Sequence, residues 1–183
     1  LSNGQTFSTH NDTLTFDEPN GSYNYTIGTD NKDYSPAEYS GSFTVNGTSV
    51  SKSVIFNLVT YEVMFQESGL PAGTFWYVNI NNGQSFSGTG TTITFNEPNG
   101  TYSYAVGTEN KEYKSSNPSG IFTVNGEGFN VSLTFSLITF KVTFSETGLH
   151  SGTLWYLNLS NGQSFSSDSK TISFLEPNGS YSY

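Results

Sequence analysis

An internal repeat of 79 residues constrains the fold of this chain more than any other feature of its sequence. A hexapeptide of the form Asn-Gly-Gln-(Thr/Ser)-Phe-Ser begins at three positions with this spacing: Asn3, Asn82 and Asn161. A second motif, Glu-Pro-Asn-Gly-(Ser/Thr)-Tyr, has the same spacing and begins at Glu18, Glu97 and Glu176. Because two unrelated motifs share one period without drift, we infer that whole structural units have been copied.

The period places one complete unit between two incomplete ones. We predict an incomplete repeat at residues 1–59, a complete repeat at 60–138 and an incomplete repeat at 139–183. A β-sandwich that lacks strands exposes its core and its unpaired edges, so we expect an excerpt from a longer array. The alternative is a short subunit whose incomplete ends complete each other head to tail, because strand exchange is a known route of assembly.

Each unit has the pattern of short β-strands. Turn signals containing Gly, Pro and Asn separate seven runs that are rich in β-branched and aromatic residues: 61–66, 74–80, 85–87, 91–96, 101–106, 121–124 and 129–138. No window shows helical spacing. This spacing predicts an all-β fold of tandem immunoglobulin-like β-sandwiches. Alternation assigns these side chains to the core: Tyr61, Val63, Phe65, Ile93, Phe95, Tyr102, Tyr104, Val106, Val131, Leu133, Phe135 and Leu137.

The junctions between units contain no flexible linker. The apolar side of the chain changes parity at the second junction, from Leu133, Phe135 and Leu137 to Ile138, Phe140, Val142 and Phe144. The same change follows Leu58 at the first junction. A strand with period two cannot change face without a twist or a bulge. We therefore expect nearly continuous strands that join the units at a fixed rotation and form stiff joints.

Composition excludes several classes of function. The formal net charge is −9, and all 6 basic residues are lysine, which disfavours nucleic acid and anionic membrane surfaces as partners. The chain contains no cysteine, so no disulfide stabilises the units. No apolar run is long enough to span a bilayer, and we expect no membrane insertion within this segment.

Two segments of the complete repeat, 61–79 and 97–104, resemble the tandem repeats of large secreted and surface proteins of archaea. Some such repeats accompany thermopsin-type acid proteases, and the Pro-Asn-Gly-Thr-Tyr stretch is also similar to PEGA-type surface β-sandwiches. The resemblance covers the whole chain and implies an extracellular or cell-surface spacer or fibre module. It carries no catalytic residue onto this chain, because no protease segment is present.

The sequence offers little catalytic or metal-binding chemistry, and we predict neither an enzyme nor a cofactor. His10 and His150 do not recur in the repeat, and no cluster suggests a transition-metal site. We assign the repeated glutamates of the second motif a turn-stabilising or exposed role. The acidic loops at 30–33 and 109–112 fit a solvated loop better than calcium. An isopeptide bond from Lys32 or Lys111 would require a buried lysine.

Outward-facing aromatic residues are the candidate contact surface. If Trp76, Val78 and Ile80 point into the core, their neighbours point outward. We predict contacts between chains or with glycans at Phe75, Tyr77, Leu154 and Tyr156. The alternative is that a loop such as 108–120 covers them.

These patterns favour a structural module of an extracellular filament or surface stalk, with copies of itself as the main partner. The alternatives are an adhesive or carbohydrate-binding surface module, with glycans as partners, and spacer repeats of a secreted protease.

The sequence also predicts a glycoprotein, because the asparagine of Asn-X-Ser/Thr accepts N-linked glycans. The candidate acceptors are Asn11, Asn20, Asn24, Asn46, Asn99, Asn130, Asn158 and Asn178. We expect mass spectrometry of intact glycopeptides from native material to find glycans at several of these sites. Unmodified asparagine at all eight would contradict this prediction.

Overall fold

The computed structural model describes residues 1–183, and the chain is all-β, as predicted. It contains no helix, so no helix is long and apolar enough to cross a membrane. The strands are β1 (Gly21–Thr26), β2 (Tyr34–Pro36), β3 (Ser40–Val45), β4 (Phe56–Leu58), β5 (Tyr61–Ser68), β6 (Trp76–Ile80), β7 (Ser85–Gly88), β8 (Thr92–Glu97), β9 (Gly100–Thr108), β10 (Tyr113–Ser115), β11 (Ser119–Val124), β12 (Phe129–Leu137), β13 (Thr139–Ser145), β14 (Trp155–Asn158), β15 (Ser164–Ser167) and β16 (Thr171–Pro177).

Residues 61–137 form two four-stranded sheets, in the orders β10-β12-β5-β8 and β11-β9-β6-β7. All seven strands predicted for this segment are present, and β10 is an additional strand that the sequence did not suggest. β10 contains only three residues and pairs antiparallel with the end of β12, where Tyr113 lies opposite Leu137. The arrangement is of the β-sandwich type, with the apolar faces of the two sheets packed together.

The first and last strands of this segment pair in parallel. Val63 of β5 lies opposite Phe129 of β12, and the register continues to Ser68 opposite Thr134. Parallel neighbours need a long connection, and here the six intervening strands provide it. Because both strands run the same way, the chain leaves this sheet at the end opposite to the one where it enters.

Aromatic side chains from both sheets fill the core. The ring of Phe122 lies at the centre, with the rings of Phe65, Phe95 and Tyr102 at centroid distances of 5.9, 6.5 and 5.1 Å. Trp76 is fully buried, and its indole Nε1 donates a hydrogen bond to the Gly90 carbonyl at 2.6 Å. Aromatic residues bury a large area each, which suits a small unit with a limited interior.

The same local structures recur along the chain at the spacing of the sequence repeat. The strands β2 and β10 begin 79 residues apart, as do β7 and β15. A stacked phenylalanine pair occurs three times, with ring centroids 4.3, 3.9 and 4.2 Å apart: Phe7 and Phe16, Phe86 and Phe95, Phe165 and Phe174. The copied motifs therefore fold in the same way wherever the required strands are present.

By packing, the chain divides into two compact units. The first comprises Leu1–Glu62, Asn96–Gly100 and Val124–Glu127, and it holds the sheets β1-β3 and β2-β4. The second comprises Val63–Phe95, Thr101–Thr123 and Gly128–Tyr183, and it holds the aromatic core and the two-stranded sheets β13-β16 and β14-β15. The repeat boundaries after residues 59 and 138 remain predictions from the sequence.

The strands at the junctions are continuous except for short interruptions. Only Ile138 separates β12 from β13, and two residues separate β4 from β5. The parity change is present. The buried side chains of β12, such as Phe135, are at odd positions, whereas the half-buried side chains of β13, such as Phe144, are at even positions. The prediction that Leu137 and Phe140 point into a core is wrong, since both are exposed beside the interruption, where the strand changes face.

Gly69 is required where β5 ends against β12. Its φ is +95°, and a Cβ added there would overlap the Phe135 carbonyl oxygen. Gly148 is the matched control, because its φ is +102° and a Cβ would meet open space. We expect Gly148→Ala to cost about 1–2 kcal/mol from backbone strain alone. Gly69→Ala should cost more, because it also pushes β5 and β12 apart.

Urea unfolding followed by tryptophan fluorescence measures this difference. Equal losses for the two variants would show that the contact between Gly69 and Phe135 contributes nothing.

Candidate functional site

Tyr77, one of the predicted contact residues, is half-buried because it lies across a glycine of the neighbouring strand. Tyr77 of β6 is opposite Gly107 of β9, and a Cβ on Gly107 would collide with the tyrosine ring and its hydroxyl oxygen. Tyr25 lies across Gly41 in the same way. An aromatic ring over a cross-strand glycine covers backbone that would otherwise be exposed. Tyr77 thus packs on its own sheet, with less of its ring exposed than the sequence predicted.

The other three predicted contact residues differ in exposure. Phe75 is half-buried just before β6, whereas Leu154 is 69% exposed and Tyr156 is 74% exposed. The strand that carries Tyr156 pairs with β15 alone, where Ser166 lies opposite, so its ring covers no cross-strand glycine as Tyr77 does.

The repeated glutamates of the Glu-Pro-Asn-Gly motif are buried or half-buried, so of the two roles predicted for them, turn-stabilising or exposed, the exposed one is wrong. Glu97 is 2% exposed and Glu176 is 3% exposed, while Glu18 is half-buried. A buried carboxylate is costly unless hydrogen bonds compensate for lost solvation. These side chains are therefore part of the interior, where their polar neighbours determine whether the motif is stable.

An asparagine 15 residues upstream supplies one of those neighbours. Asn3 Nδ2 donates to Glu18 Oε2 at 3.0 Å, and Asn161 Nδ2 donates to Glu176 Oε2 at 3.4 Å. These asparagines open the Asn-Gly-Gln motif, and Asn82 and Glu97 hold the same positions in the middle repeat. The two repeated motifs thus meet at one polar corner.

A tyrosine five residues after the glutamate completes this corner. The Tyr23 hydroxyl donates to the Pro19 carbonyl at 2.9 Å, and the Tyr181 hydroxyl donates to the Pro177 carbonyl at 3.1 Å. Burial raises the pKa of Tyr23, and the nearby charge of Glu18 raises it further. Burial also raises the pKa of Tyr181, and the charge of Glu176 adds a smaller increase.

Seven of the eight candidate glycosylation sites are exposed, and Asn99 is the exception. Asn99 is half-buried, and both polar atoms of its amide form hydrogen bonds. Its Oδ1 accepts from the Gly126 amide at 2.7 Å, and its Nδ2 donates to Asp33 Oδ1 at 2.8 Å. Since a glycan is attached at Nδ2, Asn99 is the least suitable acceptor of the eight.

The structure contains no group of three or more histidine, aspartate or glutamate side chains that could hold a metal ion. His10 and His150 are both exposed. Lys32 and Lys111 are also exposed, so neither meets the burial requirement for an isopeptide bond.

A hollow in the third repeat is explained by the strands around it. Phe144, Phe174 and Tyr181 border the hollow together with Glu176. In the middle repeat, the ring of Phe122 packs against the three equivalent rings. The hollow therefore lies where the middle repeat places the ring of Phe122.

Comparisons with known proteins extend the description of the fold alone. No protein-family model and no curated protein matches the sequence. The Bacillus anthracis TIE protein is similar in structure, with a TM-score of 0.60 and 13% sequence identity over 90% of this chain. This chain spans 36% of the length of that protein. A leucine-rich repeat protein from Bacteroides thetaiotaomicron VPI-5482 aligns with a TM-score of 0.25 and 14% sequence identity. The alignment covers 67% of this chain and 21% of that protein, and a TM-score this low supports no conclusion about the fold.

The tyrosines of the polar corner should make the folded chain less stable to urea at alkaline pH. The raised pKa of Tyr23 and Tyr181 means that the folded chain holds the phenolic proton more tightly than the unfolded chain. This contribution is fully present below the unfolded pKa of about 10 and is lost as the pH rises through the higher folded value. We expect the urea midpoint to fall above about pH 10, and Tyr23→Phe with Tyr181→Phe to make that fall shallower.

The control is Tyr39→Phe, at a tyrosine that is 65% exposed. An alkaline slope that is the same in the double variant and the wild type would contradict the role assigned to this corner.

Proposed function

We propose that this chain is a structural repeat module of an extracellular filament or surface stalk, with neighbouring copies of the repeat as its main partners. It works by holding successive units in a fixed order and acts without catalysis. This proposal rests on the regular copying of strands, turns and junctions along the chain.

The observation that carries the proposal is a hydrogen bond that recurs at both junctions. The backbone amide of Val59 donates to the Asp33 carbonyl at 2.8 Å, and the amide of Ile138 donates to the Glu112 carbonyl at 2.7 Å. The donors and the acceptors are each 79 residues apart. In each case the loop before a short strand holds the chain where it passes into the next repeat. A joint copied with the unit is what an array requires.

Two features support an immunoglobulin-like topology for each unit. The buried Trp76 lies on the second strand of the complete repeat, and a tyrosine hydroxyl bonds to the backbone four residues upstream at Tyr23 and Tyr181. A buried core tryptophan and a tyrosine corner are both found in immunoglobulin-type sandwiches. Such sandwiches are common in cell-surface proteins, which agrees with the extracellular location we propose.

The alternative, a carbohydrate-binding module, has less support. A glycan platform needs an aromatic face that is open to solvent, and Tyr77 is half-buried against Gly107. The spacer role beside a secreted enzyme would use the same stiff array and differs only in what the array carries.

Electron microscopy of the native material tests the proposal. We expect long, thin particles with a regular axial repeat, because linker-free junctions restrict the angle between successive units. Isolated globular particles would contradict a filament or stalk. On a glycan array we expect the wild type and Tyr77→Ala to give equally low signals, whereas binding lost only in the variant would favour the carbohydrate-binding alternative.

A further inference from the structure

The acidic loop of the first repeat contacts the Pro-Asn-Gly turn of the next repeat. We propose that this contact is a clasp between successive repeats, in which Asp33 binds the side-chain amide of Asn99. The proposal rests on the proposed array of repeats and identifies the surface by which one copy recognises the next. It assigns a role to the acidic loop at 30–33, for which the sequence predicts only a solvated loop.

The acidic loop is held in a defined shape before it meets its partner. The Asn31 amide donates to Thr29 Oγ1 at 3.1 Å, and the Asp33 amide donates to Asn31 Oδ1 at 3.0 Å. The equivalent pair of bonds, at 3.1 and 3.0 Å, shapes the loop that contains Asn110. A preformed loop loses little conformational freedom on binding.

Asp33 joins three parts of the chain. Its backbone carbonyl accepts from Val59, the residue that follows β4, and its side-chain Oδ1 accepts from Asn99 Nδ2 at 2.8 Å. One residue thus fixes the end of its own repeat and the turn of the following repeat. The carboxylate acceptor makes the second bond stronger than a bond between two neutral groups.

Asn99 is itself positioned by its other amide atom. Oδ1 of Asn99 accepts from the Gly126 amide, which links the turn between β8 and β9 to the turn between β11 and β12. Asn20 accepts from the Gly47 amide at 2.8 Å in the same way. The turn-to-turn bond is therefore a property of each repeat, and it leaves Nδ2 oriented for the preceding repeat.

Packing supports the clasp independently of the hydrogen bond. The segments Asn96–Gly100 and Val124–Glu127 belong to the same compact unit as Leu1–Glu62. Both turns of the middle repeat therefore pack with the first repeat, although they are 34 or more residues away from it in the sequence.

At the second junction the corresponding residues are Glu112 and Asn178. No hydrogen bond joins their side chains, and Asn178 is exposed. In the middle repeat the backbone amide of Gly126 donates to Asn99. The position equivalent to Gly126 beside Asn178 is residue 205, which lies outside this sequence. The first junction is thus the place where the complete clasp can be tested.

Distance measurements between two spin labels in the full chain test the clasp. The chain has no cysteine, so Ser42→Cys and Glu127→Cys give two unique sites, both exposed and both in the first compact unit. We expect one narrow distance distribution in the otherwise unchanged chain. Asp33→Ala removes the acceptor, and Asn99→Asp keeps the bond to Gly126 but places two carboxylates together, so each should broaden the distribution.

The double variant Asp33→Asn with Asn99→Asp exchanges donor and acceptor and should restore the narrow distribution. Asn20→Asp is the matched control, because Asn20 makes the turn-to-turn bond to Gly47 but no bond to an acidic loop in this chain, and it should leave the distribution unchanged. Circular dichroism checks that each variant folds. If Asn99→Asp does not fold, Asp33→Ala still tests the clasp.

Wild-type distributions in both single variants, or a double variant as broad as Asn99→Asp, would overturn the clasp. This result is independent of filament formation, because the labels report on a single chain. If the distance measurements contradict the clasp while the native material forms regular filaments, only the clasp is wrong. If they support the clasp while no filaments are seen, only the proposed function is wrong.

Discussion

The parallel pairing of β5 with β12 is the constraint on which the rest of the complete repeat depends. It brings the first and last strands of the unit together, so the six strands between them must close into a sandwich before the chain can continue. It also fixes Gly69, since the turn after β5 passes directly against the backbone of Phe135. The direction of β12 then determines where the next repeat begins, one residue after this strand ends.

Polar side chains provide the specificity that the apolar core lacks. Phenylalanine pairs can stack in several arrangements, whereas a buried glutamate must find its donors in one place. Asn3 with Glu18 and Asn161 with Glu176 show the same pairing at the two ends of the chain. The Asp33 to Asn99 bond extends this principle from the interior of a repeat to the contact between repeats.

Alternation and turn signals were sufficient to predict the seven main strands, because those strands each carry one apolar face. β10 was missed because its three residues include Lys114 and its pairing with β12 is a tertiary contact. The burial of Glu97 could not follow from a motif that reads as a polar turn. The orientation of Tyr77 was predicted by period, but its packing depends on Gly107, a residue 30 positions away that a strand pairing brings opposite.

Mechanical load acts on the β5–β12 pair in a particular direction. The chain enters β5 at one end of the pair and leaves β12 at the other, so tension along the polypeptide pulls the two parallel strands past each other. The hydrogen bonds of a parallel pair are evenly spaced along the strands, so under this load they are strained together instead of one after another. A repeat built this way resists shear, which is the demand that stretching makes on each link of a tether.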